Sequence, residues 1–304
     1  MKKYLLQIFL LISIGFTLVS CINLYEPKKK LKSNSVLLLE LKGLITSETS
    51  EKFMENVREY VGKEEIKGVL VRVNSPGGTV AASQEINATV NEIKNYYKKP
   101  VIVSGGDIVA SGGVYSIMPA DKILLSPGTL FGSVGVLMQF QNLGELARWA
   151  KVEVYALKAG EFKDSGNPFR EMTLRERELF ENTLDTVLDQ FKEAIQKGRN
   201  LDQKMVDRIA DGRIMTGEEA LQLGLVDQIG SFNEAIKVAG KLSGLGSDPN
   251  IFSPVTEHPL SKYFGDGASS VKNSILEKVI SKFSALSDIS GQPLYILPSY
   301  LFPQ

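Results

Sequence analysis

From residue 36 onward, short apolar runs alternate with stretches whose apolar side chains recur every three or four positions. The run VLLLELKG (36–43) predicts a buried strand, and TSEKFMENVREYV (49–61) spaces Phe53, Val57 and Val61 four apart, on one face of a helix. GVLVRV (68–73) predicts a second strand, ended by NSPGG. A helix follows through Val80, Ile86, Val90 and Ile93, and PVIVSG (100–105), DKILLSP (121–127) and VEVYALK (152–158) predict three further strands. Apolar strands alternating with helices indicate a mainly parallel sheet covered on both faces, an α/β fold of stacked βαβ units. In such sheets the working residues sit on loops that leave the carboxyl ends of strands. Two glycine-rich loops, 74–78 and 105–113, fall at that position.

Past residue 170 the period becomes helical. Thr173 and Glu176 in TLRE have the spacing of a capping box, and an apolar stripe then runs from Phe180 through Leu184, Val187, Phe191 and Ile195. Thr216 and Glu219 form a second box at the start of TGEEALQLG, with Gly224 as its stop, and 231–243 predicts another helix. Residues 244–304 are weakly patterned and end in PLYILPSYLFPQ, a docking tail or a frayed end.

At the other end, Lys2 and Lys3 precede an apolar stretch, 5–19. As a helix it reaches only about 22 Å against a hydrocarbon core of about 30 Å, which favours a cleaved signal over a permanent span. LVSC (18–21) resembles the lipobox of bacterial lipoproteins, in which the cysteine is acylated; the other reading is an uncleaved anchor with an incidental Cys21. Both carry the body out of the cytoplasm, to the periplasmic side of a bacterial membrane. The expected organisation is a signal peptide (1–20), a lipid-anchored tether (21–35), a folded body (36–243) and a C-terminal tail (244–304).

Composition narrows the chemistry. A chain of 304 residues that is 43% hydrophobic can bury a sizeable core. Lysine plus arginine equals aspartate plus glutamate at 35 each, so nothing points to nucleic acid. Cys21 is the only cysteine, which removes intrachain disulfides, cysteine-rich zinc sites and a thiol nucleophile in the body. There is no GxxxxGK[ST] loop and no zinc-ligand cluster, so no cofactor or metal is expected.

The remaining chemistry centres on GGDIVASGGVYSI (105–117), which places Ser111 where a polar loop turns into an apolar helix. A serine there suits nucleophilic attack, because the backbone N–H groups of a helix start favour developing negative charge; it also suits a plain N-cap with a glycine turn. Gly77 and Gly78 in NSPGG can present amide donors to an oxyanion, with the N–H groups of Gly78 and Gly112 as the pair, or can form an ordinary Pro-Gly turn. A serine hydroxyl needs a base. The sole histidine, His258, stands beside a proline in the weakly patterned tail, which leaves Lys158 or Lys163 in ALKAGEFKDSGNPF (156–169). A free lysine, with a pKa of about 10.4, must have it lowered by about three units to serve at neutral pH, and burial beside apolar walls does this.

RVNSPGGTV, GGDIVASGGVYSI, GTLFGSVGV and LKAGEFKDSGNPFREMT, in this order and spacing over about 36–240, resemble the signal peptide peptidase A (protease IV) family of membrane-associated serine proteases, in its short, single-repeat form. The resemblance implies a ClpP/crotonase-like fold with a helical C-terminal part, and a Ser-Lys dyad in the 36–243 domain. It matches Ser111 to the nucleophile, Lys163 to the general base, Gly78 to an oxyanion amide and Ser133 to a hydroxyl that orients the lysine. Lys158 then becomes a structural or groove residue. It further implies a homo-oligomer whose dyad is shared between neighbouring subunits, with cleaved signal peptides and other unfolded, membrane-released segments as substrates and small or apolar side chains near the cut. Val114 departs from the aromatic common after the glycines, and a lipobox replaces the usual transmembrane anchor. Two rivals are a crotonase-type acyl-CoA enzyme and a non-catalytic peptide-binding scaffold. On the protease reading, the apolar C-terminal stretch is expected near the groove as a self-bound peptide.

Overall fold

The computed structural model describes residues 31–254 and 293–296. Strands and helices alternate through the first half: β1 (Ser35–Lys42), α1 (Ser47–Tyr60), β2 (Ile66–Ser75), β3 (Gly77–Thr79), α2 (Val80–Asn95), β4 (Val101–Ala110), α3 (Gly112–Ile117), β5 (Lys122–Leu125) and β6 (Leu130–Gly132). Helices dominate the second: α4 (Gly144–Trp149), α5 (Leu174–Arg199), α6 (Gln203–Ile209), β7 (Ile214–Met215), α7 (Gly217–Gln222), β8 (Gln228–Ile229), α8 (Phe232–Leu242), β9 (Asn250–Phe252) and β10 (Leu294–Ile296).

The main sheet runs β7-β6-β4-β2-β1-β9 and is parallel except at β6–β7. The α/β, mainly parallel expectation is therefore met. Two-residue periodicity sorts each strand's side chains. Val36, Leu70, Ile102 and Leu124 face Ala235 and Ala239 of α8, while Leu37, Val69, Val71, Val101 and Val103 face the larger core that includes Phe53 and Val57 of α1 and Ile86 and Val90 of α2. Both faces are covered, so the strands read as continuous apolar runs.

β4 has a divided partner. Ile102 to Ser104 pair with β5, whereas Ile108 to Ala110 pair with β6. The sheet thus forks along β4, and the chain leaves β4 at the fork's far end, at Ser111. The expected capping boxes Thr173–Glu176 and Thr216–Glu219 are both formed, and a third, Ser231–Glu234, opens α8. Gly224 adopts φ 73° just past α7, as a helix stop requires.

Two expectations change. No strand forms at 152–158: Val154, Tyr155 and Leu157 are 46%, 84% and 95% exposed. Their alternation is strand-like, but a strand needs a neighbour for its N–H and C=O groups, and the edge beyond β6 is already taken by β7. The sheet also continues past residue 243, because Asn250–Phe252 pairs parallel with β1.

Ile102 is fully buried in β4 with Leu70 and Leu124 beside it. Ile102→Ala is expected to lower unfolding free energy by about 2–5 kcal/mol, read from the urea midpoint at unchanged slope.

Candidate active site

The chain turns from β4 to α3 on the single residue Ser111, whose backbone sits at φ 52° and ψ −114°. A residue with a Cβ occupies that conformation at a cost of order 1–3 kcal/mol, so the surroundings must impose it. They do so at both ends: Ser111 N–H donates to Gly132 O at 2.7 Å, and Tyr115 N–H donates to Ser111 O at 3.0 Å. The side chain is fully buried, and its Oγ has no hydrogen-bond partner. An unpaired buried hydroxyl costs about 1–3 kcal/mol, and such groups concentrate where a chemical role retains them.

Three glycines close in on the same point. Gly77 adopts φ 102°, and a Cβ there would lie 2.8 Å from Gly112 N. A Cβ on Gly112 would lie 2.4 Å from Ser83 Oγ and 3.1 Å from Gly78 N. Only bare backbone fits, and the space that remains holds a carbonyl of the chain's own C-terminal segment: Tyr295 O would stand 1.9 Å from a Gly77 Cβ and 3.1 Å from a Gly112 Cβ. Gly78 N–H points at that segment. On the other edge of β3, Ile45 N–H donates to Gly77 O at 2.9 Å and Thr79 N–H to Ile45 O at 2.8 Å, and successive amides of a strand alternate in direction. Tyr295 pairs opposite Gly78 in antiparallel register, and Val80 N–H reaches Pro293 O at 3.4 Å, two residues along. The candidate oxyanion pair, Gly78 and Gly112, is thus assembled around a peptide carbonyl, and part of the C-terminal stretch lies in the expected groove.

Ser133 lies beside Ser111 by strand register. Ala110 pairs with Gly132, and each serine is the next residue, each at φ 52°. Ser133 is buried, and its N–H donates to Arg213 O at 2.7 Å. Lys163 is not brought to this cluster within the chain. It is exposed on the loop between α4 and α5, where its N–H donates to Gly160 O at 3.3 Å. Cys21 and His258 lie outside the described residues.

That loop is braced by residues the motif reading passed over. Arg170 donates to Asp164 Oδ2 at 3.1 Å and Glu176 Oε2 at 2.8 Å, and to the carbonyls of Asp164 and Glu171. Lys158 joins it by bonding the Asp164 carboxylate and Glu161 O, so Lys158 has the structural role left to it above. Arg170, and after it Lys158, holds the Asp164 carboxyl down at about 2. Glu176 is also held well below the usual carboxylate range, by Arg170 first and the Thr173 N–H second. The only signal in the sequence was the capping-box spacing of Glu176, which says nothing of Arg170.

The family model described as peptidase family S49 matches residues 94–246. A Synechocystis sp. protein with a provisional protease name is 33% identical over 275 residues, covering 89% of this chain and 98% of that protein. An Enterococcus faecium protein, named provisionally as signal peptide peptidase SppA, is 33% identical over 186 residues, covering 61% of this chain and 54% of that one. Among solved structures, a ClpP1 mutant from Listeria monocytogenes aligns at TM-score 0.45 and 17% identity over 65% of this chain and 93% of that chain.

Because the folded-state values of Asp164 and Glu176 are depressed, the stabilisation they give the 158–176 loop is complete above about pH 5 and is lost as pH falls through the folded values, toward about 2. Amide protection in 158–176, the observed rate corrected for intrinsic exchange, which itself slows toward acid, is expected to be high at neutral pH and to fall across that acid window. Arg170→Leu should show low protection at both ends and flatten the dependence.

Proposed function

Since the chain belongs to peptidase family S49 and is a serine-type peptidase, we propose that it is a membrane-anchored endopeptidase whose dyad is Ser111 and Lys163, hydrolysing cleaved signal peptides and other unfolded, membrane-released segments. The observation that carries the reading is the buried, unpartnered Ser111 Oγ next to a glycine cradle that already holds a backbone carbonyl of an extended segment.

In this mechanism the uncharged Lys163 Nζ accepts the proton of Ser111 Oγ while that oxygen bonds to the scissile carbonyl carbon. The carbonyl π electrons move to oxygen, where the N–H groups of Gly78 and Gly112 hold the negative charge; one such donor is worth about 10²–10³-fold in rate. As the C–N bond breaks, the lysine ammonium gives its proton to the departing amine. Lys163 next takes a proton from water, whose oxygen attacks the acyl carbon, and collapse returns that proton to Ser111 Oγ and frees the carboxylic acid. Ser133, adjacent to Ser111 by register, orients the amine.

A second copy of the chain supplies Lys163. The stretch that carries it exposes Trp149 (82%), Tyr155 (84%) and Leu157 (95%), an apolar surface suited to a subunit contact. The name of the Enterococcus faecium relative supports the substrate class. Anchoring through acylated Cys21, with the body on the periplasmic side, rests on residues outside the described structure; among the described residues no helix is long and apolar enough to cross a membrane.

Casein hydrolysis by Ser111→Ala and by Lys163→Ala is expected to fall by about 10³-fold or more each. Mixing the two inactive variants before assembly should restore activity, to about a quarter of wild type if subunits mix at random in a ring with one site per contact. Full activity in either variant would overturn the dyad, and inactive mixtures would overturn the sharing.

A further inference from the structure

Every residue from 151 to 163 is exposed, so no packing on the N-terminal side of Lys163 holds it in place. Exposure first falls at the next residue, Asp164, and one guanidinium grips that residue twice. Arg170 Nε donates to Asp164 Oδ2 at 3.1 Å and Nη2 to Asp164 O at 3.0 Å. The same carbonyl accepts from Asn167 N–H at 3.1 Å, so both its acceptor directions are filled and the peptide unit leaving Asp164 is fixed. The remaining Arg170 donors go to Glu171 O at 2.9 Å, to Glu176 Oε2 at 2.8 Å and to Glu176 Oε1, which takes up all five N–H groups of the side chain. Glu176 is buried in the first turn of α5, where it accepts from Thr173 N–H at 2.8 Å. Further along, α5 is set in the main core by Phe191 and Ile195. A second tie reaches the same helix. Gly166 adopts φ 78°, a Cβ there would lie 2.7 Å from Phe140 Cε1, and the Phe140 ring meets Phe180 of α5 at 4.6 Å.

We propose that Arg170 is a positioning residue for catalysis: it carries the rigidity of α5 through Asp164 to Lys163, and so sets where each subunit presents its base to the Ser111 of a neighbour. The inference rests on the assignment of Lys163, and on its sharing between subunits, as proposed above. Stability alone does not account for the arrangement, because partly exposed ion pairs are worth about 0–1 kcal/mol each and a lysine could make them. Only the planar fork of an arginine can hold the carboxylate and the carbonyl of Asp164 while also holding both oxygens of Glu176. The residue held is the one bonded to the base. A misplacement of about 1 Å in a reacting group costs about 10²-fold in rate, and slack at Asp164 would be passed on to the end of the Lys163 side chain.

The test uses the full-length protein and casein. Arg170→Leu is expected to lower kcat by about 10–10²-fold with KM changed by less than about 2-fold. The deficit should persist on the alkaline plateau of the pH profile, where protonation of the base no longer limits the rate. Arg170→Lys, which keeps the charge and loses the fork, should fall between Arg170→Leu and wild type, and it replaces Arg170→Leu throughout if the latter does not fold. The decisive readout is which subunit carries the change. In a mixture of Ser111→Ala and Lys163→Ala subunits, working sites take the base from the first and the nucleophile from the second. Arg170→Leu placed in the Ser111→Ala subunit should cut the restored activity by the same 10–10²-fold or so. Placed in the Lys163→Ala subunit, which no longer offers a base, it should cost little further, whereas a residue needed only for folding or assembly would act from either. Equal losses from the two placements, a normal kcat, or a deficit that disappears on the alkaline plateau would overturn the positioning role and leave the dyad standing. If Lys163→Ala keeps full activity, or the mixture without any Arg170 change stays inactive, the dyad or its sharing is wrong, and this inference falls with it.

Discussion

At the end of β4 the backbone has to change from strand to helix within one residue, in a space where neighbouring positions have no room for a Cβ. Ser111 takes the positive-φ geometry that makes the turn possible, and Gly112 and Gly77 are glycines because Ser83 Oγ, Gly112 N and the Tyr295 carbonyl crowd the volume a side chain would fill. The rest of the site follows from that turn. β6 must run beside the last residues of β4 so that Gly132 O can accept the Ser111 N–H, and this pairing brings Ser133 alongside. β3 must cross the start of α3, which aims Gly78 N–H into the same small volume. β4 forks between β5 and β6, and it is the β6 branch, through Ala110 opposite Gly132, that sets the two serines side by side.

The parts legible in the sequence were those set by local rules. Phe53 and Val57 recur at helical spacing and face the core as that spacing demands; Thr173–Glu176 and Thr216–Glu219 are self-contained boxes; the glycines near Ser111 announce a backbone that needs room. What stayed hidden depends on partners distant in sequence. VEVYALK has the composition of a strand and none of its structure, since strand formation is decided by a free edge. Leu294–Ile296 is a strand only because the far edge of β3 is open to it, and Tyr295 has a pocket only because α3 and α5 converge. Arg170 reads as any surface arginine until Asp164 and Glu176 are seen on either side of its guanidinium.

The two halves of the proposed dyad differ in how they are held. The Ser111 half is built into the core by backbone hydrogen bonds and close packing. The Lys163 half is an exposed loop tied down by ion pairs around Arg170, with its apolar side chains turned outward. On the proposed sharing, such an arrangement suits a loop that must hold its shape before it meets another surface, because bracing gives the outline in advance of the contact.

The pairing of β10 with β3 is intramolecular, whereas the site as proposed, completed by a second subunit, would form by association. The two respond to dilution in opposite ways. On the proposed sharing of the dyad, lowering the amount of protein would disperse subunits while leaving each tethered strand beside its own cradle, so a sparse population would be silenced twice, by loss of its base and by a filled groove. On the same proposal, crowding on a membrane surface would restore the first condition alone, and the second would then yield only to a competing peptide that fits better than β10.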